Sequence, residues 1–152
     1  MLGNDCPEIF SEFRRVMDPL RDRILYYLFQ FPPGFGTSRT DHLISFLKQH
    51  CRNAALEFRD PAWYEEDILR EIASYGLPVS PDSPKIRVIL HGDTLYLRLH
   101  GRKRFYRHDY TQEELKEILT EIKKRNYSRC LVFFNNTVMF DNALQFMELA
   151  KS

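Results

Sequence analysis

No run of apolar residues in this chain is long enough to cross a bilayer: the longest, residues 24–29 (ILYYLF), is far short of the ~20 residues a membrane helix needs. The opening residues MLGNDCPEIF lack the charged-then-apolar layout of a secretory leader. Cysteine is scarce. Cys6, Cys51 and Cys130 are an odd number without CxxC spacing, which argues against a disulfide framework or a cysteine-held metal and for free thiols in a reducing compartment. The expected location is cytoplasmic. Charge of one sign is also missing: 22 basic residues meet 21 acidic ones, for a formal net charge of +1. No global field therefore draws the chain to nucleic acid or membrane, although a local patch remains open. The GxGxxG, P-loop, GxSxG and HExxH patterns are all absent, which removes the commonest nucleotide, acyl-transfer and zinc-protease signatures.

What is present is a globular composition, 43% hydrophobic and 28% charged, over 152 residues. That length suits one domain, 1–152, with a real core. Residues 7–17 place Ile9, Phe10, Phe13 and Val16 at helical spacing. Residues 23–30 read as an apolar strand stopped by Pro32 and Pro33. A helix over 40–50 turns Leu43, Ile44, Phe46 and Leu47 inward, and 54–59 form a short strand. Asp60 with Pro61 starts a helix running to about Tyr75, where Gly76 suits a left-handed terminal residue. Strands follow at 77–80, 94–100 and 129–134. Thr111 and Glu114 form a capping box before a helix to about Arg125, and a last helix covers about 140–151.

Strand and helix in alternation predict an α/β fold with about five parallel strands and helices outside. The strand TLYLRLHG refines this. Leu95, Leu97 and Leu99 share one face, and Tyr96, Arg98 and His100 share the other, because strand side chains alternate. In AALEFR, Leu56 and Phe58 oppose Glu57 and Arg59 in the same way. A doubly wound sheet, covered on both sides, should be apolar on both faces. Ionisable groups gathered toward the strand ends fit a barrel whose interior opens to a ligand at the C-terminal mouth.

The motifs LFQFPPGF (28–35), LEFRDPAW (56–63), PDSP (81–84), LYLRLHG (95–101), Tyr106 and Tyr110 before TQEEL, VFFNN (132–136) and DNAL (141–144) resemble the YecE-like family, a domain of unknown function. The resemblance covers roughly residues 19–150. It implies a TIM-barrel-like fold with its site at the mouth, and no established reaction. The family's polar positions fall on Gln30, Glu57, Arg59, Trp63, Asp82, Arg98, His100, Tyr106, Asn135 and Asn136. Members usually open with a GTSGWxY-like stretch and carry a later EINSTFY-like strand; neither is found here. The chain therefore resembles the C-terminal portion of the family's barrel, a partial TIM-barrel-like domain lacking the first strands.

In the enzyme reading, Glu57 or His100 acts as acid or base, Arg98 holds an anion or phosphate group, and Gln30 and Asn135 orient the substrate, with Arg59, Trp63, Asp82, Tyr106 and Asn136 as further contacts. Each also has a plainer reading. Glu57 and Arg59 can form a structural ion pair, His100 can be a satisfied core histidine, Trp63 can be packing, and Asn135–Asn136 can form a turn into the last helix. His42, His50, His91 and His108 read as surface residues. Glu57, Asp82 and His100 stand at successive strand ends, a set a divalent cation would accept, but only fold-level analogy supports that and no metal or other cofactor is assigned. The loop 102–110 offers the alternative function. Arg102, Lys103, Arg104 and Arg107 interleave with Phe105, Tyr106 and Tyr110, the residue types that bind single-stranded nucleic acid, and weak binding at best is expected. A further alternative is an inactive remnant of a split barrel. The expected partners are a complementary N-terminal barrel chain or a second copy of this chain, since a short parallel sheet leaves unpaired edges.

Overall fold

The computed structural model describes residues 5–151. Residues 1–4, part of the stretch read for a leader, lie outside the described residues. The chain divides into two compact units, the first ending at Pro78 and the second starting at Val79.

Unit 1 begins with helix α1 (Cys6–Met17), followed by a 3₁₀ segment at Asp18–Arg23. Strand β1 (Tyr27–Phe31), helix α2 (Thr40–His50), strand β2 (Ala54–Phe58), helix α3 (Glu66–Ala73) and strand β3 (Leu77–Pro78) complete it. The three strands form one parallel sheet in the order β1-β2-β3, with Gln30 opposite Glu57. Central β2 is buried along its whole length. Leu56 and Phe58 join a core with Phe10, Leu43, Phe46 and Trp63. The inward face expected for α2 is the one observed.

Several local expectations differ. The strand expected at 23–30 begins only at Tyr27, because Pro19 sits in the first turn of a 3₁₀ segment that takes the chain to Arg23. Of the four apolar residues expected to face inward from α1, Phe10 alone is buried; Ile9, Phe13 and Val16 are exposed. The helix expected from Asp60 is broken in two. Asp60 accepts the Ala62 N–H and Pro61–Tyr64 make a 3₁₀ turn, after which Glu65 is extended and α3 starts. Gly76 is not left-handed. It is required for space: a β-carbon there would lie 2.9 Å from Leu56 Cδ1 and 3.3 Å from the Ala54 carbonyl.

Unit 2 holds strand β4 (Ser80–Asp82), strand β5 (Thr94–Leu99), helix α4 (Gln112–Lys123), strand β6 (Arg129–Phe134) and helix α5 (Met139–Lys151). Its sheet is also parallel, in the order β4-β5-β6. β4 and β5 are joined by an irregular connection, not a helix, pinned by the Val88 N–H on the Pro81 carbonyl. The stretch read as one strand at 77–80 is thus two strands in two sheets. Leu95, Leu97 and Leu99 are buried with Leu115, Ile118 and Ile122 of α4 and Phe146 of α5. This is the leucine face the alternation predicts, packed on helices. The architecture is α/β, built from two three-stranded parallel sheets.

Candidate functional site

Three strand ends meet in unit 2: Asp82 closes β4, His100 follows β5 and Asn135 follows β6. Parallel pairing puts these ends on one edge of the sheet. Two backbone bonds carry the pairing one residue past the strands, His100 N–H to the Asp82 carbonyl (2.8 Å) and Asn135 N–H to the Leu99 carbonyl (2.8 Å). On the face opposite the leucines, Tyr96 is buried and stacks on Phe133 at 4.8 Å, Arg98 is half-buried, and His100 is fully buried. The Asn135 Nδ2 donates to His100 Nδ1 at 3.2 Å. An amide nitrogen can only donate, so the His100 Nδ1 faces this contact as the acceptor.

The loop after His100 is tightly turned. Gly101 has φ +101°, and a β-carbon there would lie 2.6 Å from His108 Cβ. Tyr106 has φ +64°, a left-handed conformation that costs a non-glycine residue energy. It is held by its own N–H on the His100 carbonyl (2.7 Å) and by the Thr137 N–H on its carbonyl (2.7 Å). Its ring meets the His100 ring edge-on at 5.7 Å while remaining partly exposed. Strained conformations of this kind persist only where surrounding bonds over-determine them, and they cluster at functional sites.

Behind this edge lies a polar network. Asp82, buried, accepts from Arg102 Nε (3.0 Å) and from the Tyr110 hydroxyl (3.2 Å), which in turn accepts the Gly101 N–H (2.9 Å). Burial and the Asp82 carboxylate push the Tyr110 hydroxyl well above the usual tyrosine range. Burial alone would lower Arg102, but bonds to Glu117 and Asp82 hold it above its ordinary value. His108 is buried, contrary to the surface position expected for it, with Nε2 2.8 Å from Glu114 Oε2. The Asn136 Nδ2 donates to the His108 carbonyl and to Asn142 Oδ1, tying the loop to α5.

In unit 1, Gln30 and Arg59 both reach Glu57. Gln30 Nε2 donates to Oε2 (3.1 Å) and Arg59 Nη2 to Oε1 (3.0 Å), and Glu57 itself is completely buried.

Trp63, expected as a ligand contact, is buried in the unit 1 core, stacked on Phe58 at 4.2 Å and donating Nε1–H to the Phe35 carbonyl. Asp82 and Asn136 are likewise buried and bonded within unit 2, where they brace the site's loop. Arg102 and Tyr110, counted with the basic loop, are taken up by the Asp82 network. The structure brings His100, Tyr106 and Asn135 together, with Arg98 on the same strand face; it brings Gln30, Glu57 and Arg59 together separately. The sequence reading missed Glu114 as the partner of His108, and Asn142. The DNAL motif contained Asn142, but nothing in its spacing disclosed that it accepts the Tyr110 N–H. Among the described residues, no group of three or more His, Cys, Asp or Glu side chains is placed to hold a metal, and the three thiols are unpaired with one another. No described helix is long and apolar enough to cross a membrane.

The family model of a protein of unknown function, DUF72, matches residues 2–152. The chain belongs to the DUF72 family. This is the YecE-like family that the motifs resemble. Two solved DUF72 structures are similar to it. One, from Thermotoga maritima, superposes with a TM-score of 0.81 at 26% identity, over 96% of this chain and 66% of its own. The other, from Enterococcus faecalis, superposes with a TM-score of 0.79 at 20% identity, over 100% of this chain and 71% of its own. This DUF72 chain thus spans about two thirds of the length of those relatives. No curated protein matches it.

Proposed function

We propose that this DUF72 protein binds a small anionic or phosphate-containing ligand at the C-terminal ends of its parallel strands, and that the His100 edge of unit 2 is the centre of the site. One observation carries the reading: Tyr106 is held in a strained left-handed conformation against a fully buried His100 whose Nδ1 meets the Asn135 side-chain amide. A core histidine needs no such arrangement. Arg98 supplies the positive charge, His100 Nε2–H serves as donor or general acid, Tyr106 walls the ligand, and Asn135 keeps the ring oriented. Unit 1 has a separate candidate acid or base of its own in Glu57, positioned by Gln30 and Arg59. The strand–helix–strand runs in both units, and the family membership, support the finer proposal that the chain is a partial TIM-barrel-like module; such folds bind ligands at strand C-termini. The unpaired thiols support a reducing, cytoplasmic setting. A second copy or a complementary chain remains the proposed partner.

Nucleic-acid binding is the weaker reading. Lys103, Arg104 and Arg107 are exposed, but the Asp82 network has taken two of the groups such binding would use.

The test is a titration of the full chain with inorganic phosphate, following the His100 ring and Asn135 side-chain signals by nuclear magnetic resonance. Saturable shifts are expected, weakened about tenfold in Arg98→Met, as for loss of a charge-assisted hydrogen bond. Absence of a saturable shift, or equal affinity in the variant, overturns the proposal.

A further inference from the structure

Unit 2 contains a cavity of about 190 Å³ on the α4 side of its sheet, the face away from Tyr96 and His100. Leu97, Val88, Ile89 and Ile118 give it an apolar wall. Its rim carries three arginines and three carboxylates, and their pairing decides what it can hold. Asp82 and Glu117 are both answered by Arg102. Glu121 is answered by Lys124 and by Arg125 Nη1. Arg87 has no ion pair or side-chain hydrogen bond among the described residues, and Arg125 Nε is buried without an acceptor. By formal charge the lining is balanced, three guanidiniums against three carboxylates, and Arg87 is the guanidinium at the rim whose donors are uncommitted, beside an apolar wall.

We propose that this cavity is a second binding site, for a small organic monocarboxylate with an apolar body. Its carboxylate meets the planar guanidinium of Arg87, which can grip it with two parallel bonds, and Arg125 lies on the same rim. Its hydrocarbon body lies against Ile89 and Leu97. The volume is roughly that of six liquid water molecules, enough for the body of an acid of about six carbons with its carboxylate at the open rim. A single negative charge suits the site better than a phosphate dianion, because three carboxylates share the rim and repel a second charge.

The proposal is independent of the reading at His100, and its probes differ. Hexanoate and benzoate are titrated into the full chain, with hexylamine as the opposite charge on the same body. Both acids are expected to give saturable shifts centred on the amides of Val88 and Ile89, and hexylamine none. Arg87→Gln, at an exposed position that leaves the fold intact, is expected to weaken hexanoate binding about tenfold. Ile89→Trp, which fills the cavity, is expected to abolish it. Equal binding of hexylamine, unchanged affinity in Arg87→Gln, or no saturable shift from either acid overturns the site.

Discussion

Gly101 carries the sharpest constraint of any single residue. A methyl group there would collide with His108 Cβ and approach the Arg104 carbonyl to 2.8 Å, in a backbone conformation that L-residues avoid. Gly101→Ala is expected to cost about 1–3 kcal/mol and to loosen Tyr106 from His100. Equilibrium denaturation reads the first effect, and the nuclear Overhauser contact between the two rings reads the second. The two faces of β5 make a paired prediction. Leu97 is buried against α4, so Leu97→Ala should lose about 2–5 kcal/mol. Arg98, half-buried on the other face and assigned to ligand, should tolerate Met with a melting temperature near wild type. If Arg98→Met unfolds the chain while Leu97→Ala does not, the faces are assigned the wrong way round. The alternation that separates these faces was readable in eight letters of sequence. The burial of His108 and the capture of Arg102 were not, because each depends on a partner in another element, Glu114 for one and Asp82 for the other.

Helix α4 starts with a reciprocal cap that pattern alone disclosed. The Thr111 hydroxyl accepts the Glu114 N–H, and the Glu114 carboxylate accepts the Thr111 N–H at 3.0 Å. Thr111→Ala should cost about 0.5–2 kcal/mol in thermal or chemical unfolding. Glu114 adds a pH dependence. Burial alone would raise its pKa, but the Thr111 N–H, His108 and Arg102 together hold it below the usual carboxylate value. A group depressed in the folded state contributes stability above its unfolded pKa of about 4.3, and that contribution is lost as pH falls through the lower folded value. The melting temperature of wild type should therefore exceed that of Glu114→Gln near neutral pH, and the gap should close in acid. A gap that stays constant from neutral pH to pH 3 would count against the assignment. Elements with strong periodicity or a cap, such as α2, β5 and α4, were legible for this local reason. The segment before β1 and the helix after Asp60 were misread where Pro19 and Pro61 favour 3₁₀ turns, geometry that a 3.6-residue period does not resolve. Gly76 was placed correctly for the wrong reason, since its neighbour Leu56 comes from β2.

Taken whole, the chain exposes more large apolar side chains than scattered surface hydrophobes account for. Unit 1 shows Ile9, Phe13, Val16, Leu25 and Leu28; unit 2 shows Phe133, Phe140, Leu144 and Met147. β1 and β6 are each an edge strand of their own sheet, and each carries one of these residues. Unpaired edges with apolar neighbours favour association. Sedimentation at micromolar concentration is expected to show self-association, or binding of a dye for exposed apolar surface. A monomer with a sharp transition and no dye uptake is the contrary result. Trp63, the chain's single tryptophan, gives the two units different optical visibility. Its indole, shut away from water between aromatic rings, should emit at short wavelength and shift to the red only when unit 1 opens. Fluorescence therefore follows one half of the molecule, whereas circular dichroism follows both. If the two traces coincide during unfolding, the halves melt as one cooperative body; if they separate, the gap between them measures how independently unit 2 stands.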